Sequence, residues 1–119
     1  MEMSHVILRV SDMERSLAFY RDQVGLPVLS ESAAFSFLDV GTTRLALNVF
    51  AGVGPDTSAT EIVLEVEDLQ ATFAAMTARG VPFEIEPRQV MQNEGRSLHA
   101  AHFRDPDGHI VSITGWGVG

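Results

Sequence analysis

Apolar and polar positions along the chain follow two periods. Val6, Leu8 and Val10 alternate with His5, Ile7 and Arg9, the two-residue period of a strand with one buried face. Ser11 and Glu14 then stand at capping-box spacing, so a helix is expected to begin there. Its apolar stripe of Met13, Leu17 and Tyr20 carries it to about Val24, where Gly25 and Pro27 stop it. Three strands are expected next, at about Pro27 to Glu31, Ala34 to Val40 and Thr43 to Phe50, with Gly41 and Thr42 turning the last pair. The same order returns from Thr60. A strand runs to Glu67, a helix capped by Asp68 ends near Arg79 and Gly80, and strands follow near Pro82 to Val90, Leu98 to Arg104 and His109 to Gly115. The polar stretch Gln89 to Arg96 reads either as a long loop or as a lid over a cleft.

The recurrence is an internal duplication. Sliding the chain by 56 places lays Leu8 on Leu64, Val10 on Val66, Asp12 on Asp68 and Leu17 on Phe73, and a one-residue slip then lays Gly25 on Gly80. A shift of 66 lays Phe37 on Phe103, Asp39 on Asp105, Leu47 on Ile113 and Phe50 on Trp116, so about eleven extra residues fall within Glu86 to Arg96. The expected fold is α+β: one domain over residues 1–119, built from two tandem βαβββ modules (3–50 and 59–116) joined by a Gly-rich link, 51–58. Such modules form a concave mixed sheet with the helices outside. Strand parity puts His5, Ile7, Arg9, Arg44, Ala46 and Asn48 on the face away from the first helix, and Glu61, Val63, Glu65, Ile110, Ser112 and Thr114 on the equivalent face of the second module.

Composition narrows the chemistry. With 45% apolar residues the 119-residue chain can bury a core, yet it has no apolar run long enough to cross a bilayer and no amino-terminal export pattern, so a cytoplasmic protein without membrane contact is expected. There is no cysteine, which removes disulfides and thiolate ligands, and all 8 basic residues are Arg, which removes lysine chemistry. The net charge of −8 repels a phosphate backbone, so no nucleic-acid partner is expected.

The element order, the HxxLRVxDxxxSxxFY stretch from His5 to Tyr20, and DPDGH from Asp105 to His109 resemble the vicinal oxygen chelate superfamily, which includes glyoxalase I, bleomycin-resistance proteins, fosfomycin-resistance enzymes and extradiol dioxygenases. The likeness spans residues 3–116 and implies a homodimer. It also implies four metal-ligand places, in the first and last strands of each module, which here hold His5, Ala46, Glu61 and Ser112. Ala46 cannot ligate, and Ser112 stands where a Glu is usual. A divalent first-row metal ordinarily takes three or more protein donors. His5 and Glu61 supply two, so no tightly held cofactor is expected; Zn, Ni, Mn or Fe on His5 and Glu61 is the alternative.

Several residues keep two readings. Arg9 resembles a substrate-carboxylate arginine, or pairs with Glu65. Glu61 is the candidate catalytic base if the face is dry; otherwise Glu61 and Glu65 are solvated carboxylates. Phe50 and Trp116 form an aromatic platform or a subunit contact. His99 and His102 point to opposite faces, and His109 is a turn residue. Two functions follow from the resemblance. One is binding of a small organic molecule by His5, Arg9, Ala46, Asn48, Phe50, Glu61, Glu65, Ser112, Thr114 and Trp116, with the negative charge suiting a cationic ligand. The other is a metal-dependent lyase, isomerase or dioxygenase acting on vicinal oxygens.

Overall fold

The computed structural model describes residues 1–50 and 60–118, so the expected link 51–58 lies outside the described residues. By its internal contacts the chain divides into two compact units, Met1–Asp56 and Thr57–Gly119.

The first unit runs β1 (Val6–Val10), α1 (Met13–Leu17), a π-helical segment (Ala18–Val24), β2 (Val28–Ser30), β3 (Phe35–Asp39) and β4 (Arg44–Val49). Its sheet has the order β1-β4-β3-β2, with β1 parallel to β4 and the other pairs antiparallel. The second unit runs β5 (Glu61–Glu65), α2 (Leu69–Ala78), β6 (Phe83–Asn93), β7 (Arg96–Arg104) and β8 (Ile110–Val118), with the matching order β5-β8-β7-β6 and β5 parallel to β8. The α+β class and the repeated βαβββ order are therefore observed.

Each core lies between one sheet face and its helix. In the first unit Leu8, Val10, Leu38, Leu45 and Leu47 are buried with Leu17 and Tyr20, and α1 packs on β4. In the second, Ala101, Phe103, Val111 and Ile113 are buried with Leu69 and Met76 under α2. Phe103 meets the Phe83 ring edge-on at 5.1 Å, and Phe83 meets Phe73 of α2 at 4.7 Å. Gly115 lets α2 start close against β8, since a Cβ there would stand 3.1 Å from Leu69 Cβ.

Three local expectations change. The first helix is capped one residue later than expected: the Asp12 carboxylate accepts the Arg15 N–H at 3.0 Å, while the Ser11 hydroxyl takes a hydrogen bond from the Arg15 guanidinium instead. A carboxylate at this position also favours the positive end of the helix dipole. Asp68 caps α2 as expected, by accepting the Ala71 N–H. The one-residue slip between Gly25 and Gly80 has a structural cause. One more residue separates Asp12 from Gly25 than separates Asp68 from Gly80, and the π-helical segment absorbs it by winding wider. Gly25 and Leu26 both donate to the Tyr20 carbonyl, at 3.0 and 2.9 Å, and the wider turn buries the adjacent rings of Phe19 and Tyr20 together.

The stretch Gln89 to Arg96 is neither loop nor lid. It forms the end of the β6–β7 hairpin, closed by Glu94 (φ 52°) and Gly95 (φ 77°), two left-handed residues of the kind a tight hairpin turn requires. The extra residues thus lengthen two strands. Phe37 and Phe103 are also not counterparts. Phe37 pairs with Ala46 on the face away from the helix, whereas His102 pairs with Ser112 and Phe103 is wholly buried toward α2. The turn between β7 and β8 is one residue longer than that between β3 and β4, which shifts the match by one. That longer turn is DPDGH, in which the Asp105 carboxylate accepts the N–H groups of Asp107 and His109 at 3.0 and 2.8 Å.

Phe103→Ala is expected to lower unfolding free energy by about 3–5 kcal/mol, read from chemical denaturation. Leu29→Ala, at an exposed position, should stay within about 0.5 kcal/mol of the parent. Asp68→Ala should cost about 1 kcal/mol through loss of the α2 cap.

Candidate functional site

Each sheet buries one face under its helix, and the site residues expected from the sequence lie on the other face. On the first, β1 and β4 run parallel with Ile7 beside Ala46 and Arg9 beside Asn48, and β3 adds Phe37 next to Ala46 and Phe35 next to Asn48. His5, just before β1, meets the Phe37 ring edge-on at 5.3 Å and holds Ser4 Oγ at 2.9 Å from its Nδ1. Phe35 and Phe37 stack at 5.3 Å with 25° between their planes. Arg44 lies 6.0 Å from the Phe37 ring centre, and Arg9 lies 4.5 Å from that of Phe50. Asn48 donates its amide to the Ala34 carbonyl at 3.0 Å, which ties it to the neighbouring turn. This face therefore combines a row of half-buried rings with two exposed guanidinium groups, an arrangement suited to a flat ligand bearing charge. His5, Arg9, Ala46, Asn48 and Phe50 all belong to this unit. The rings of Phe35 and Phe37 were not among the expected contacts; the β3–β4 register brings them in.

On the second sheet, Val63 stands beside Ser112 and Glu65 beside Thr114, with His102 and Ala100 on the far side of β8. Ser112 and Thr114 are buried, whereas Glu61 and Glu65 are exposed. The Glu61 carboxylate reaches across β8, with Oε2 at 3.1 Å from His102 Nδ1. Arg96 lies 4.9 Å from the centre of the half-buried Trp116 ring. The expected set of Glu61, Glu65, Ser112, Thr114 and Trp116 thus lies on this sheet, and His102 joins it. Strand parity had separated His102 from His99, and His99 does sit near the start of α2, beside Glu67 and Asp68. The signal that would have linked His102 to Glu61 was the β7–β8 register, which the length of the DPDGH turn sets.

The four metal-ligand places can be judged on their donors. Ala46 offers a wholly buried methyl group, and Ser112 offers a neutral hydroxyl on a residue 1% exposed. Glu61 already faces an imidazole. Among the described residues no three or more His, Asp and Glu side chains converge to hold an ion. This donor set does not fit a tightly held divalent metal. Among the described residues no helix is long and apolar enough to cross a membrane.

This architecture is found in known proteins. The chain is 30% identical to a lactoylglutathione lyase of Haemophilus influenzae, over 95% of this chain and 91% of that one. It is 29% identical to the metallothiol transferase FosB of Lysinibacillus sphaericus, over 90% of this chain and 77% of that one. A crystal structure of a glyoxalase/bleomycin resistance protein/dioxygenase from Alicyclobacillus acidocaldarius shares the fold with a TM-score of 0.81 at 13% identity, covering 97% of this chain and 91% of that one. The model of the Glyoxalase/Bleomycin resistance protein/Dioxygenase superfamily matches residues 2–113. With two βαβββ units and a family match over nearly its whole length, the chain belongs to the glyoxalase/bleomycin resistance protein/dioxygenase superfamily.

Proposed function

We propose that this chain binds a small organic molecule on its open sheet faces without a tightly bound catalytic metal. The residue chemistry at the four ligand places carries the reading: a methyl group at Ala46 and a buried hydroxyl at Ser112 stand where donors are needed. The stacked rings of Phe35 and Phe37 supply apolar area for a planar ligand, and Arg9 and Arg44 bracket it with positive charge. The net charge of −8 draws cationic molecules toward the protein, so a flat ligand with both a basic group and an acidic group suits both scales of the electrostatics.

A second reading, a metal-dependent lyase, isomerase or dioxygenase, draws on the names of relatives such as lactoylglutathione lyase and metallothiol transferase. In it His5 and Glu61 would be the metal's holders and Glu61 the carboxylate that moves a proton.

Elemental analysis of protein grown in metal-supplemented medium separates the two. Substoichiometric Zn, Ni, Mn and Fe is expected; a stoichiometric metal that disappears in His5→Ala and Glu61→Ala would establish the second reading. Thermal denaturation against planar charged compounds should give a stabilisation that grows with concentration, about 2.7 kcal/mol at a hundredfold excess over Kd. Phe35→Ala should weaken that binding by about two- to tenfold, the worth of one aromatic contact.

A further inference from the structure

The arginine that opens β4 has no acidic partner, in a chain that carries 16 acidic residues against 8 arginines. Arg44 pairs in register with Asp39 of β3, and opposite charges so placed across an antiparallel pair ordinarily meet. Here the Asp39 carboxylate turns away to accept the Gly41 N–H at 2.9 Å. Among the described residues no ion pair or hydrogen bond engages the Arg44 guanidinium. It lies 6.0 Å from the centre of the Phe37 ring, at the outer reach of a cation–π contact, so little holds it in place. The Arg9 guanidinium is seated more closely, 4.5 Å from the Phe50 ring.

A guanidinium offers five N–H donors in a planar fork that a carboxylate fills with two parallel bonds of about 2.8 Å. Next to it stand the half-buried rings of Phe37 and Phe35, stacked on each other and able to take a flat ring against their exposed parts. We propose that Arg44 selects the ligand by its acid group, and that the ligand is an aromatic carboxylate. Because the guanidinium already lies beside the Phe37 ring, a carboxylate bound to it falls at the margin of the ring row. The acid is therefore joined to the ligand ring directly or through one carbon. The inference rests on the reading that this face receives a flat molecule, and it adds the class of that molecule and its direction: acid toward the β3–β4 turn, ring toward Phe35.

Isothermal titration of the full chain with three probes tests this: 2-naphthoate, its uncharged amide 2-naphthamide, and cyclohexanecarboxylate, which keeps the acid and lacks the flat ring. The naphthoate is expected to bind about tenfold or more tightly than either of the others, the worth of a charge-assisted hydrogen bond or an aromatic contact. Arg44→Gln should bring the naphthoate down to the affinity of the amide and leave the amide unchanged. Arg88→Gln, at an exposed position on β6 of the second unit, changes the net charge equally and should leave all three affinities as in the parent. Equal binding of the acid and its amide, or of the flat and the non-aromatic acid, would overturn the proposal. So would an Arg44→Gln that weakens acid and amide alike or neither, or an Arg88→Gln as damaging as Arg44→Gln. If the naphthoate fails to bind while planar cations stabilise the chain, this proposal falls and the reading above stands; if no planar compound binds, both fall.

Discussion

The parallel pairing of the first strand of each unit with its last strand is the constraint on which the rest depends. β1 pairs with β4 over five registered positions, and β5 with β8 over another five. A parallel pair cannot be closed by a tight turn, so a crossover must intervene, and here it consists of the helix and the two antiparallel strands that follow. The crossover covers one sheet face with the helix and leaves the other uncovered by its own unit. Residues about forty or fifty positions apart, such as Ile7 and Ala46 or Val63 and Ser112, become neighbours on that second face. Whatever chemistry a unit performs there is assembled by this one long-range contact.

The residues gathered by that contact give the two units different characters. The first face is aromatic and cationic: His5, Phe37 and Phe35 form a continuous row of rings, Arg44 lies over Phe37 and Arg9 over Phe50. The second is acidic and hydroxyl-bearing, with Glu61 and Glu65 exposed, Ser112 and Thr114 buried, and His102 held against Glu61. The two units share one strand order while the side chains on the faces away from their helices differ. Ala46 and Ser112 bring a methyl and a hydroxyl to these faces, and His102 stands at the register where the first unit has Phe37.

Much of this was legible from spacing alone. Period-two alternation marked the strands, the spacing of Met13, Leu17 and Tyr20 marked the first helix, and the repeat itself pointed to a fold class that the structure bears out. The expectations that needed correction share one physical cause. Each is a one-residue change in length, or a change of turn, whose effect depends on where the backbone takes up the difference. The extra residue before Gly25 was absorbed by a wider helical turn, and the extra residue in DPDGH shifted a whole strand's partnership. The polar stretch Gln89 to Arg96 became a hairpin end because a left-handed pair at Glu94 and Gly95 could close it there. Local polarity says nothing of such closure.

By itself the sequence determined the order of elements, the duplication, and the residue types at the four ligand places, because these follow from local periodicity and from side-chain chemistry that no folding can alter. Ala46 has no donor in any conformation. Only the tertiary structure decided which residues meet across strands: that Phe37 joins His5 while its apparent counterpart Phe103 is buried, and that Glu61 reaches His102 across β8. Register is a property of paired backbones. A shift of a single residue turns every side chain of a strand to the opposite face, so the partners of a site residue are settled only when the strands hydrogen-bond.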